Sequence, residues 1–159
     1  MPIKVGDKLP DVTLFENKPD ESVKTSELFG KDKHVLVGIV GAFTGTCQND
    51  HFPTFVDNID KIKAKGVEIV ACVSVNDPFV TAAFGTAMNA DGKIRMLADT
   101  CGTFTEKIDL EWDVAAAFGT KRSQRYVMVI NDGVVTGLNV EEDSSKVKCT
   151  SGTDILSLL

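Results

Sequence analysis

Cys47 is the residue best placed to do chemistry in this sequence. It follows an apolar run and a short glycine-containing loop, and it opens a long helical pattern. The free N–H groups and the positive dipole end of such a helix favour a thiolate, the nucleophilic form of cysteine. Thr44, three residues upstream, can bring a hydroxyl to the same pocket. Position alone leaves a second reading open, in which Cys47 is a small apolar filler at a helix start. The other cysteines are Cys72, inside an apolar run and read as inert core, Cys101, in a loop or helix cap, and Cys149, in the polar stretch 141–152. None forms a Cys-x-x-Cys pair and the two histidines do not cluster with them, which argues against zinc ribbons and dithiol motifs. Neither a metal nor an organic cofactor is expected. Gly38, Gly41 and Gly45 do not form a phosphate loop, because no Lys follows Gly45 and the spacing is wrong. Arginine occurs only at 95, 122 and 125, so a step that needs a planar guanidinium has few candidates.

The elements that must position these residues alternate in type. Residues 35–40 read as a buried strand. Residues 46–65 read as a helix, with Phe52, Phe55, Val56, Ile59 and Ile62 at helical spacing, a kink at Pro53 and a stop at Gly66. Residues 67–75 form a second apolar strand, so the two strands and their helix predict a parallel crossover buried on both faces. Asn76-Asp77-Pro78 starts a helix that should reach about Asn89. A short strand is expected at 94–98 and a short helix at 103–108. Strands 126–130 and 134–140 flank the hairpin turn Asn131-Asp132-Gly133, and 153–159 close the chain as a helix. This order predicts an α/β fold, a central mixed β-sheet with helices on both faces.

Composition narrows the function classes. The 159 residues suit one domain spanning 1–159, and 43% hydrophobic with 25% charged residues is ordinary globular usage. The net charge is -6, spread evenly: nine basic against twelve acidic residues in 1–80, eight against eleven in 81–159. No basic face stands out, so nucleic acid is not an expected partner. The longest apolar run, 35–43, is too short for the ~20 residues of a membrane helix, and no membrane role is expected. No cleaved signal is visible at the N-terminus, so the expected location is cytoplasmic with reduced thiols. Peroxisomal or mitochondrial placement stays open, since Ser157-Leu158-Leu159 only loosely resembles a peroxisomal address.

The run from Gly38 to Cys47 (GIVGAFTGTC), followed by Asn49-Asp50-His51-Phe52-Pro53-Thr54-Phe55, resembles the reactive loop and kinked helix of a peroxiredoxin. It is similar in particular to the peroxiredoxin 5 subgroup, the type II or atypical two-cysteine peroxiredoxins. Segments 70–77, 96–99, 118–119, 125–126 and 138–141 have counterparts there, so the resemblance spans nearly the whole chain. It implies a thioredoxin-like fold and a thiol-dependent peroxidase acting on hydrogen peroxide and alkyl hydroperoxides. By resemblance Cys47 is the peroxidatic cysteine, and Thr44 with loop N–H groups binds the peroxide oxygens. Arg125 stabilises charge at the sulfur and on the departing oxygen; without the resemblance it reads as a surface Arg beside Lys121 and Arg122. Val40, Gly45 and Thr46 line the substrate site. Cys149 aligns with the subgroup's resolving cysteine, which implies an intramolecular disulfide reduced by thioredoxin; the alternative is a free surface thiol. Such proteins are usually homodimers. His51 has a counterpart as well and is read as a packing residue rather than a general base. The departure is Val40, where the family has Pro; Gly45 also replaces a frequent Pro and loosens the same loop. Val40 keeps open a redox sensor or chaperone with weakened peroxidase activity, and a thioredoxin-fold binding module with structural cysteines is a further alternative.

Overall fold

The computed structural model describes all residues, Met1–Leu159. Its centre is a seven-stranded sheet ordered β2-β1-β5-β4-β3-β8-β9. The central strands are β3 (Lys33–Gly38) and β4 (Val67–Ser74), with β5 (Arg95–Ala98) beside β4; the β3–β4 and β4–β5 pairs are parallel. Antiparallel strands β8 (Tyr126–Asn131) and β9 (Val134–Val140) extend one side. On the other side β1 (Thr13–Glu16) pairs antiparallel with both β2 (Lys18–Lys24) and β5. The sheet is mixed, as expected.

Residues of the central strands alternate between two cores. Val35, Val37, Val70 and Cys72 pack with Phe52, Phe55, Ile59, Ile62 and Phe84 on one face. Leu36, Ala71, Val73 and Met128 pack with Phe29, Phe104 and Ile108 on the other. Burial on both faces is the reason these strands read as nearly continuous apolar runs. The β8–β9 hairpin turns at Asp132 and Gly133, both at positive φ (49° and 79°), as a two-residue primed turn requires.

Several boundaries differ from expectation. The first apolar strand lies at 33–38 instead of 35–40; Ile39 and Val40 are buried by loop packing after the strand has ended. The expected helix 46–65 is three pieces. A π-turn, Cys47–His51, leads into α2 (Phe52–Asp57), and α3 (Ile59–Ala64) follows a break at Asn58. Pro53 explains the π-turn: it has no N–H for a regular helical bond, and the Phe52 N–H instead reaches back five residues to the Cys47 carbonyl. The next helix, α4 (Pro78–Ala87), ends two residues early. Residues 154–158 form a 3₁₀ turn rather than a full closing helix. Sequence periodicity did not find β1, β2, α1 (Thr25–Phe29), the small β6–β7 pair (Glu111–Asp113 with Lys121–Ser123) or α6 (Ala115–Phe118), whereas α5 (Thr103–Lys107) lies where a short helix was expected.

Candidate active site

Strand register brings the reactive residues to one end of the sheet. Gly38, the last residue of β3, pairs with Tyr126, the first of β8, and Tyr126 pairs with Val140. The loop 39–46, Arg125 and Glu141 therefore leave the sheet side by side. The Glu141 N–H donates to the Arg125 carbonyl at 2.9 Å.

Cys47 is fully buried in the first turn after that loop. The Arg125 guanidinium, 1% exposed, reaches it with Nη1 3.2 Å from Sγ. A cationic donor at that distance stabilises negative charge on sulfur. The backbone N–H groups of Gly45, Thr46 and Cys47 donate to no backbone carbonyl, so three orphan donors of the helix start remain available. Thr44 donates its hydroxyl proton to the Gly41 carbonyl at 2.8 Å, which leaves its oxygen lone pairs as acceptors.

Arg125 is itself held from three directions. Its Nε donates to the Ser144 carbonyl (3.1 Å), its N–H donates to the Ser144 hydroxyl (3.0 Å), and its Nη1 donates to His51 Nδ1 (2.9 Å). His51 Nε2 lies 2.7 Å from the Thr150 carbonyl. An arginine can only donate and a carbonyl can only accept, so His51 is neutral with its proton on Nε2. Burial and then the Arg125 charge push its pKa down to about 3, consistent with that tautomer. His51 accepts from Arg125 and has no free lone pair for Cys47, which fits the packing reading over the general base.

The remaining sequence-derived residues lie around this centre. Val40, 4% exposed, belongs to the same core as Cys47, and its N–H donates to no protein acceptor. Gly45 faces open space where a side chain would stand. The Thr46 hydroxyl donates to the Ser145 carbonyl at 3.1 Å, and its backbone N–H donates to no backbone carbonyl. Cys149 is half-buried and reduced, and its Sγ–H faces the Val140 carbonyl at 3.7 Å. Burial and then the Glu141 charge push its pKa up to about 11. Cys72 shares the core of Cys47, and burial pushes its thiol well above the ordinary range, as suits an unreactive core residue. Cys101 is exposed. Sequence reasoning missed Ser144 and Thr150: the Ser144 and Thr150 carbonyls that meet the Arg125 and His51 side chains could come from any residue type, and the Ser144 hydroxyl that accepts from the Arg125 N–H lies 19 residues away. No cluster of three or more His, Cys, Asp or Glu side chains is arranged to hold a metal ion.

A buried cysteine at a helix start, with an arginine donor on its sulfur and free N–H groups around it, defines a thiol-based peroxide site on a thioredoxin-like scaffold. The Redoxin family matches residues 4–154. Peroxiredoxin-2E, chloroplastic, of Arabidopsis thaliana is 38% identical over 99% of this chain and 69% of its own length. Peroxiredoxin 5 of Alvinella pompejana superposes with a TM-score of 0.90 at 38% identity, covering 99% of this chain and 97% of that one. The reduced Prx3 of Vibrio vulnificus, solved in complex with hydrogen peroxide, gives 0.90 at 44% identity, with 98% of each chain covered. The chain belongs to the peroxiredoxin family, in its peroxiredoxin 5 subgroup. It is a thiol-dependent peroxidase, and this assignment favours catalysis over the sensor and binding-module alternatives.

Proposed function

We propose that residues 1–159 form one peroxidase domain in which Cys47 attacks a hydroperoxide and Cys149 resolves the product. The observation that carries this reading is the 3.2 Å contact between Arg125 Nη1 and the Cys47 sulfur. The Cys47 thiolate attacks one peroxide oxygen, the O–O bond breaks, and water or an alcohol leaves. Loop N–H groups donate to the peroxide oxygens, and Thr44, its own proton committed to Gly41, accepts from the peroxide O–H. Arg125 faces the charge that moves from sulfur to the departing oxygen. Cys149 then attacks the Cys47 sulfenic acid, a disulfide forms, and water leaves. A disulfide needs Cα atoms within ~7 Å. The irregular π-turn at Cys47 is the segment suited to unwind toward that geometry. An external dithiol, thioredoxin, reduces the bond.

A second copy of this chain is the proposed partner at the loop. Phe43, Phe79 and Phe118 are 46%, 62% and 42% exposed. Phe43 lies in the 41–44 loop and packs on Phe84 of α4, the helix that also carries Phe79, and Arg122 lies over Phe118 and against Gly41, so Phe118 stands beside the same loop. Exposed apolar residues grouped in this way mark an interaction surface. No helix is long and apolar enough to cross a membrane. The four free thiols suit a reducing compartment such as the cytoplasm.

The test is peroxide consumption with thioredoxin and its reductase, together with non-reducing peptide mapping after one equivalent of peroxide. Wild type is expected to turn over and to give a linked Cys47–Cys149 peptide within one chain; Cys47→Ser is expected to lose fast consumption. Fast consumption surviving in Cys47→Ser, or a Cys47–Cys101 link as the main product, would overturn the assignment. Sedimentation of the reduced protein at twice the chain mass is the expected result for the homodimer, and a monomer mass refutes it.

A further inference from the structure

Glu141 follows β9 directly and is only 3% exposed, yet no cation pairs with it. Its Oε2 instead accepts from three consecutive residues: the N–H of Lys148 (2.8 Å), the N–H of Cys149 (2.8 Å) and the hydroxyl of Thr150 (2.7 Å). Charge-assisted bonds of this kind replace the water that a buried carboxylate gives up. Burial raises the Glu141 pKa, but the bonds from Cys149, Thr150 and Lys148 outweigh it and hold the carboxyl below its ordinary value. Asn139 adds a side-chain bond to the Cys149 carbonyl at 2.9 Å.

The same segment is also fastened to the peroxidatic helix. Thr46 donates to the Ser145 carbonyl (3.1 Å), His51 to the Thr150 carbonyl (2.7 Å), and the Gly152 N–H to the Thr54 hydroxyl (2.8 Å). Gly152 approaches Thr54 so closely that a Cβ there would collide with the Thr54 carbonyl. Two of the three helix-side fastenings, Thr46 and His51, belong to the turn that carries Cys47.

We propose that Glu141 is a positioning residue for the resolving step: its carboxylate holds the 148–150 loop in place and keeps the Cys149 thiol unreactive until the Cys47 turn unwinds. This rests on the reading of Cys149 as the resolving thiol. When the turn unwinds, the Thr46 and His51 fastenings are lost, and the Glu141 bonds to Lys148 and Thr150 keep the loop beside the Cys47 turn. The Cys149 side chain then swings away from the carboxylate and attacks the Cys47 sulfenic acid. The S–S bond forms as the S–O bond breaks, and the thiol proton leaves with the sulfenic hydroxyl as water. While the loop is docked, the adjacent negative charge disfavours a Cys149 thiolate, the form that reacts with electrophiles.

Two substitutions separate the charge from the clamp. Glu141→Gln can keep an oxygen where Oε2 lies and removes the charge; Glu141→Ala removes both. Alkylation of Cys149 by iodoacetamide in the reduced protein, read by peptide mass, is expected to rise about three- to tenfold in Glu141→Gln at pH 8. That range is what remains after burial keeps part of the shift and the lower basicity weakens the thiolate as a nucleophile. In Glu141→Ala, rapid-quench mapping is expected to show the Cys47–Cys149 bond forming at least tenfold more slowly relative to Cys47 oxidation, with Cys47 sulfinic acid accumulating. An alkylation rate within twofold of wild type in Glu141→Gln, or disulfide formation at the wild-type rate in Glu141→Ala, overturns the proposal. Cys149→Ser distinguishes the two ways of failing. If it still forms an intramolecular disulfide, the resolving assignment falls and this proposal with it. If it forms none while both Glu141 variants match wild type, the Glu141 proposal alone falls.

Discussion

Replacing Arg125 by Lys tests the site most directly, because charge is retained and geometry is lost. The guanidinium is 1% exposed and spans the Cys47 sulfur, His51 Nδ1 and the Ser144 carbonyl at 3.2, 2.9 and 3.1 Å. An ammonium is a single point of donors and cannot bridge the sulfur on one side and the Ser144 carbonyl on the other. Removing a donor aimed at transition-state charge typically costs ~10²–10³ in rate. Two buried acceptors, His51 Nδ1 and the Ser144 carbonyl, would lose a partner at roughly 1–3 kcal/mol each. Arg125→Lys should therefore lower the single-turnover peroxide rate in stopped flow about a hundredfold or more, and it should lower the urea midpoint as well. Arg122→Lys is the control, since Arg122 lies against Gly41 and over Phe118 with no bond to Cys47. A rate within tenfold of wild type in Arg125→Lys would refute the role given to the fork. A large loss confined to Arg122→Lys would move that role to the outer arginine.

Val40→Pro should be tolerated and stabilising by about 0.4–1 kcal/mol, because the Val40 N–H donates to no protein acceptor and a fixed φ restricts the unfolded chain. The same substitution should raise the peroxide rate or lower over-oxidation in stopped-flow and mass measurements, and a slower enzyme would show a loop adapted to Val40. His51 gives a pH signature. Its folded pKa of about 3 lies below the ordinary 6.5, so between these values the unfolded chain takes up a proton that the folded one refuses. Its contribution to stability is complete above pH 6.5 and is lost as pH falls, by up to about 1.4 kcal/mol per unit. Urea titrations at pH 7, 6 and 5 should show a shallower loss in His51→Gln, whose amide can still accept from Arg125 and donate to Thr150; equal slopes would contradict the neutral-histidine assignment.

The legible parts of the fold are those buried on two faces. Strands β3 and β4 announce themselves because both sets of alternating side chains meet a core. That same signal misplaced the end of β3, since Ile39 and Val40 are apolar for loop packing, while Lys33 and His34 pair in the ladder without an apolar side chain. Strand β2 was illegible for the opposite reason. Lys18–Lys24 is an edge strand whose residues are exposed but for a half-buried Val23, so no burial pattern is imposed on its sequence. The helix 46–65 had the right apolar stripe but not the right continuity, because periodicity reports which face is buried and not where Pro53 and Asn58 interrupt the bonding.

The site divides along a different line. Cys47 stood out as a candidate from its own neighbourhood, a strand end followed by a helix start, although a buried filler cysteine would fit the same pattern. Arg125 and Cys149 entered only through family resemblance; for Arg125 the reason is strand register, which nothing local encodes and which brings position 125 to the Cys47 loop. The contacts that tie them together are more remote still: Arg125 to His51 crosses 74 residues, and His51 to Thr150 crosses 99. Each uses a group whose local sequence context carries no sign of its role, a histidine one turn past Cys47 and a main-chain carbonyl. The result is a continuous path, Cys47 to Arg125 to His51 to Thr150 to Glu141, that begins at the Cys47 sulfur and ends on the carboxylate that accepts from the Cys149 N–H. Unwinding the Cys47 turn would disturb the 148–150 loop, because His51 sits in that turn and donates to the Thr150 carbonyl. In the proposed scheme the two half-reactions are coupled by hydrogen bonds already made in the reduced protein, and the order of events, oxidation before release of Cys149, follows from which bonds the unwinding turn would take with it.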